Sequence, residues 1–180
     1  VTDAGLVYPK GLTNLQSLEL RGTQITDAGL VHLTVLPDLK GLTLSKQITD
    51  AGLLHLKELN NLIRLDLHDT QVTDAALVHL KGLRKLRFLT LWGTLITDAG
   101  LVHLKEMANL KTLDLSATKV TDAGLVHLKG LTNVKHLQII GNILGSKITD
   151  AGLAHLKGMT NLTSLLLLGT KTTEIGRAHV

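Results

Sequence analysis

Six of the nine histidines in this 180-residue chain recur at a near-constant spacing, as do six aspartates, and these are side chains that ligate metals and move protons. His32, His55, His79, His103, His127 and His155 form one ladder, and Asp27, Asp50, Asp74, Asp98, Asp122 and Asp150 form the other. With nearby serines they also compose apparent Ser-His-Asp sets. A metal would need several of the imidazoles within about 2.0–2.1 Å of one ion. Neighbouring helix axes lie roughly 8–10 Å apart, so successive histidines are poorly placed to share it. A residue that every copy of a unit needs for folding says nothing about a unique catalytic site. The ladders are therefore expected to be architectural, with Asp at helix starts and His on an outer convex face. No catalytic, metal or cofactor site is assigned, and no phosphate loop, paired-cysteine motif or zinc-protease helix motif occurs.

The unit that carries these ladders is visible as a period. Val-Thr-Asp-Ala-Gly-Leu begins at Val1, with close copies at Ile25, Ile48, Val72, Ile96, Val120 and Ile148, at intervals of 24, 23, 24, 24, 24 and 28 residues. Between them runs a Leu-x-x-Leu-x-Leu pattern, from Leu15-Leu18-Leu20 through Leu110-Leu113-Leu115 to Val134-Leu137-Ile139 and Leu162-Leu165-Leu167. In Leu110 to Ser116 the alternation of Leu113 and Leu115 with Thr112, Asp114 and Ser116 predicts a strand with one buried face. Leu125 and Leu128, three apart, predict a helix turned toward that strand, leaving Val126, His127 and Lys129 on other faces. Thr121 and Asp122 form a helix-start signal in which either side chain can be the cap. Asn14, Asn61, Asn109, Asn133 and Asn161 precede the strands, where tolerance of the left-handed conformation would turn the chain back. One such repeat cannot bury its leucines alone, so stability must come from stacking.

Composition agrees with one long leucine core: 44% of residues are hydrophobic but only 2% aromatic. No run approaches the eighteen or so apolar residues of a membrane helix. The absence of cysteine excludes disulfides, thiolate metal sites and cysteine nucleophiles, without fixing the compartment. The expected organisation is an array of about seven repeats over 1–173, truncated at both ends. The frame calls for another Thr-Asp-Ala-Gly-Leu copy after Lys171. Instead Glu174-Ile175-Gly176-Arg177-Ala178-His179-Val180 looks like the translation of a sequencing-adapter oligonucleotide, so 174–180 is read as an artefact in preference to a degenerate cap.

Leu-x-x-Leu-x-Leu, Gly-Thr and Ile-Thr-Asp-Ala-Gly-Leu-Val-His-Leu-Lys together resemble the leucine-rich-repeat family over residues 1 to about 172. The pattern is most similar to bacterial arrays of Thr-Asp-Ala-Gly-Leu repeats, and more distantly to ribonuclease-inhibitor-like and F-box-associated repeats. The resemblance implies an α/β horseshoe solenoid, with parallel strands on the concave face and helices on the convex face, and a binding scaffold rather than an enzyme. The chain departs from the pattern in several places. It has neither the cysteines nor an F-box of the F-box-linked repeats. Pro9 replaces a helix leucine, repeat two lacks a turn residue near Lys46, and repeat six carries four extra residues around Ile143 to Ser146.

Partner information must lie where the template leaves freedom. The outward strand triplets are Ser17-Glu19-Arg21, Gly41-Thr43-Ser45, Arg64-Asp66-His68, Phe88-Thr90-Trp92, Thr112-Asp114-Ser116, His136-Gln138-Ile140 and Ser164-Leu166-Leu168. The one Phe and the one Trp fall in the same central triplet, where they would present one patch of neighbouring rings. The expected partner-binding set is Arg64, Asp66, His68, Phe88, Thr90, Trp92, Asp114, Ser116, His136, Gln138 and Ile140.

Net charge is +4, yet the triplets hold two bases, Arg21 and Arg64, against three acids, Glu19, Asp66 and Asp114. The excess base lies on the helices and in a stripe of Arg87, Lys111 and Lys135 at the strand starts. The leading expectation is a protein-interaction scaffold binding a protein on its concave face. The alternative is binding of single-stranded nucleic acid or another polyanion along that stripe beside Phe88 and Trp92. A regulatory repeat region of a larger enzyme is the third.

Overall fold

The computed structural model describes residues 1–141 and 147–174, with the side chains of residues 8–11 left aside. The insertion around Ile143 to Ser146 and residues 175–180 of the suspected artefact lie outside the described residues.

Seven three-residue strands form one parallel sheet in strict chain order: β1 Ser17–Glu19, β2 Gly41–Thr43, β3 Arg64–Asp66, β4 Phe88–Thr90, β5 Thr112–Asp114, β6 His136–Gln138 and β7 Ser164–Leu166. The register pairs equivalent positions without slip, so Leu18, Leu42, Leu65, Leu89, Leu113, Leu137 and Leu165 face one another rung by rung. The strands line the concave face of a solenoid and short helices its convex face. Between the two layers lies a single continuous core built almost wholly of leucine, isoleucine and valine, with Leu65, Leu89, Leu113 and Leu137 at most 1% exposed.

The helices are shorter and tighter than a regular α-helix. Single α turns, α1 Asp27–Leu30, α2 Asp50–Leu53, α3 Asp98–Leu101, α4 Asp122–Leu125 and α5 Asp150–Leu153, mostly run on into 3-10 segments such as Val31–Val35, Leu54–Glu58, Val126–Leu128 and Ala154–Gly158. The reason is the leucine spacing. Leu30, Leu33 and Leu36 are three apart and all fully buried, a period that 3-10 geometry keeps on one face and 3.6-residue geometry does not.

Threonine is the helix cap. Thr49, Thr73, Thr97, Thr121 and Thr149 have extended backbones, and each hydroxyl accepts the N–H two residues on. The aspartate beside it reaches instead to the next repeat. Asp27 accepts the Thr49 N–H at 2.9 Å and the Thr49 hydroxyl at 2.6 Å, and the same pair of bonds joins Asp50 to Thr73, Asp74 to Thr97, Asp98 to Thr121, Asp122 to Thr149 and Asp150 to Thr173. This ladder explains the glycine in the motif. A Cβ at Gly100 would lie 2.3 Å from Oδ1 of Asp74. Ala76 holds the same position in its own repeat, and that repeat runs as 3-10 helix throughout Asp74–Leu80.

The asparagines do not turn the chain by left-handed geometry. Non-glycine residues with positive φ among those described are Asp69 and Ala117, both after strands. The asparagine side chains are a second ladder of rungs: the Nδ2 groups of Asn61, Asn109, Asn133 and Asn161 donate to the carbonyls of Pro37, Arg84, Ala108 and Thr132 at 2.7–2.8 Å. An amide that satisfies a loop carbonyl of the preceding repeat fixes the stacking distance as well as the turn.

Candidate protein-binding face

The concave face is built on the unslipped register. Because β3 and β4 pair Arg64 with Phe88 and Asp66 with Thr90, side chains at equivalent positions stand side by side across neighbouring strands. The Arg64 guanidinium lies over the Phe88 ring, 3.9 Å from its centroid. His68 meets Trp92 edge to face, with ring centroids 4.0 Å apart and planes at 88°. Phe88 of β4 and Trp92 just after it are thus engaged by Arg64 of β3 and by His68 just after β3. Within the expected patch of neighbouring rings, Phe88 and Trp92 each also contact a residue of the preceding repeat, because cross-strand neighbours stand closer than residues two apart along a strand. Trp92 keeps 42% of its surface exposed.

The acids of this face are held close to home. Asp66 accepts the Arg21 guanidinium at 2.6 Å, across the intervening β2, and the His68 backbone N–H at 2.9 Å. Asp114 accepts the Ser116 N–H at 2.9 Å, and Glu19 the Arg21 N–H at 3.0 Å, so an acid at this position caps the end of its own strand. His68 Nε2 lies 3.1 Å from Asp69.

Ser116 is not a surface residue. It is 1% exposed, and its Oγ accepts the Ile140 N–H at 3.0 Å, while Ser45, at the same position, is fully buried and donates to the Ile25 carbonyl at 2.5 Å. A strand's third outward position lies where the chain already curves away, and a small hydroxyl there folds inward to satisfy backbone; His68 and Trp92 are too large to do so. Ser116 is therefore removed from the expected partner-binding set. His136 is exposed, and Gln138 and Ile140 are half-buried. They belong to β6 and its end, two strands from the aromatic pair, so they lie beside the cluster of Arg64, Asp66, His68, Phe88, Thr90 and Trp92 rather than in it.

The structure adds a hollow that the sequence reading did not select. A pocket of about 230 Å³ opens on the concave side, its polar and aromatic lining being Ser17, Thr43, Arg64, Asp66, Phe88 and Thr90 around Gly41. Its floor is Gly41, which has no side chain to fill the space between Ser17 and Arg64. A glycine inside a strand is a signal of close approach by another group, and that signal was present in the sequence.

Arg87, Lys111 and Lys135 are exposed and stand on successive rungs, each backbone N–H bonding the previous carbonyl at 2.8–2.9 Å from Ile63 onward. No carboxylate lies within ion-pair distance of them among the described residues. On the convex side the histidines of the ladder are half-buried or exposed, in the last turns of the helical segments or, for His103, in the turn just after α3. Among the described residues no group of three or more His, Cys, Asp or Glu is placed to hold a metal ion, and no helix is long and apolar enough to cross a membrane.

A model of the leucine-rich repeat matches residues 11–34 and 106–128. Among solved structures, the chain is similar to internalin C2 of Listeria monocytogenes, with 29% identity and a TM-score of 0.75, over 97% of this chain and 70% of that one. It is also similar to an internalin, inlF, of the same organism, with 25% identity and a TM-score of 0.73, over 94% of this chain. The chain spans 46% of the inlF chain's length. No curated protein matches the sequence.

Proposed function

From the premise that the chain is a leucine-rich-repeat protein, we propose that it is a protein-interaction scaffold whose concave face docks a protein partner around Phe88 and Trp92. The observation that carries this reading is the pair of cross-strand contacts, Arg64 on Phe88 and His68 on Trp92, at positions the fold does not need. The core of each repeat is filled chiefly by leucine and the stacking is tied by the Asp-Thr and Asn ladders, so these outward residues are free of architectural duty. A half-exposed tryptophan steadied by an imidazole offers a large apolar area at little further entropic cost on binding. Arg64 and His68 supply the polar rim that such anchors commonly have. The likeness to internalins, themselves repeat proteins by their fold, supports the scaffold reading.

A photo-crosslinking amino acid placed at Thr90, and separately at Val126 on the convex face, tests it. Partner adducts from position 90 and none from position 126 support the assignment. Adducts from 126 alone overturn it.

One observation favours a second reading. Arg87, Lys111 and Lys135 form a continuous exposed row without acidic neighbours within ion-pair distance among the described residues, a geometry suited to a polyanion such as single-stranded nucleic acid. Steep loss of binding with added salt distinguishes it from an aromatic-anchored protein contact.

A further inference from the structure

Charge pairing on the concave face is uneven. Asp66 is taken by Arg21 and the His68 N–H, Glu19 by the Arg21 N–H, and Asp114 by the Ser116 N–H. Arg64 is exposed, and among the described residues its guanidinium has no carboxylate within ion-pair distance and no hydrogen-bond partner. What holds it is the face of Phe88, at 3.9 Å. A ring attracts a guanidinium through its quadrupole and uses none of the N–H donors, which radiate in the guanidinium plane. The fork is therefore oriented in advance while its donors stay open, the arrangement that favours a bidentate anion.

Beside it lies the pocket of about 230 Å³ over Gly41, with the hydroxyl-bearing residues Ser17, Thr43 and Thr90 among its lining, together with Asp66, whose carboxylate is already paired with the Arg21 guanidinium at 2.6 Å. We propose that Arg64 and this pocket form a receptor for one carboxylate, the side chain of an Asp or Glu on the protein partner. The proposal rests on the partner-binding reading of the concave face and names the chemistry recognised there. A phosphodiester chain fits less well. It needs positive charge along its whole track, whereas this face sets Arg21 and Arg64 against Glu19, Asp66 and Asp114. A single carboxylate needs only one fork and a hollow for its stem.

The test uses the full chain and no natural partner. The Arg64 Nε–H resonance, assigned by its absence in Arg64→Lys, is followed by nitrogen-15 NMR during titration with the blocked tripeptide acetyl-Gly-Glu-Gly-amide. Its Gln counterpart and a ten-residue oligodeoxythymidylate serve as comparisons. A saturable shift with the Glu peptide and none with the Gln peptide is expected. Binding, read from backbone amides around Gly41, should fall on the order of tenfold in Arg64→Lys, which keeps the charge but loses the fork. Phe88→Leu, which keeps Arg64 but removes the ring that orients it, should weaken binding in the same direction. Circular dichroism checks that both variants keep the fold. Equal response to the Gln peptide, no saturable shift, undiminished binding in Arg64→Lys, or stronger response to the oligonucleotide each overturns the proposal. If the crosslink from position 90 succeeds while the Glu peptide fails, the scaffold reading stands and the carboxylate receptor alone is lost.

Discussion

Asp98 holds Thr121 twice, accepting its backbone N–H at 2.7 Å and its hydroxyl at 2.6 Å, so one carboxylate welds a helix start to the helix start of the following repeat. Thr121 then uses the same hydroxyl oxygen to cap its own turn at the Ala123 N–H. The link is part-buried and repeats along the array, which makes it the polar counterpart of the leucine core.

Asp98→Ala should destabilise the protein by roughly 1–3 kcal/mol, because it leaves the Thr121 N–H and hydroxyl without their acceptor. Chemical unfolding of Asp98→Ala, Thr121→Val and the double variant checks it. The two losses should fail to add, with a coupling on the order of 1 kcal/mol. Additive losses would mean that the two residues act separately.

Ala117 adopts φ of 54°, a left-handed conformation that Gly22, Gly93 and Gly169 occupy at the equivalent positions of other repeats. Ala117→Gly should stabilise by about 0.5–1 kcal/mol, the relief of Cβ strain being offset in part by added freedom of the unfolded chain. A rise in thermal midpoint is the expected readout, and a fall would show that the turn is unstrained.

Leu113 is fully buried on β5, with a strand on either side. Truncation to Ala should cost about 2–5 kcal/mol, since neither flanking rung can collapse into the space without breaking register. Urea unfolding measures it, and a cost below that range would mean that the core relaxes around the gap.

Trp92→Ala should weaken partner binding by on the order of 2 kcal/mol while leaving the thermal midpoint within the small range of surface substitutions. His127→Ala, on the convex face, should change affinity far less. Isothermal titration of the crosslinked partner against each variant decides it: equal losses from both faces would remove the concave site.

Replacing Arg87, Lys111 and Lys135 together by Gln should leave a protein complex nearly intact and flatten its salt dependence only slightly. A collapse of affinity, with a salt slope reduced by about two, would move the function to binding of a single-stranded polyanion.

The repeat, its strand and its helical segment were legible in the sequence because they depend on local pattern. A period of about 24 residues, alternation through Leu113 and Leu115, and Thr-Asp before Leu125 each act within a few residues of chain. The outward identity of Phe88 and Trp92 followed from the same alternation. What the side chains touch across repeats was not legible, because it depends on the rung-to-rung distance of a sheet that only stacking sets. So Asp98 could be placed at a helix start but not joined to Thr121, and the asparagines could be placed at turns but not given their carbonyl partners. Phe88 and Trp92 could be set on one face, but not given their neighbours in the preceding repeat, Arg64 and His68. Ser116 pointed outward by alternation, yet the tertiary structure drew it inward, since a hydroxyl beside the unpaired N–H of Ile140 is more stable bonded to it than facing solvent. The hollow over Gly41 likewise exists only once Ser17, Thr43 and Arg64 stand around it.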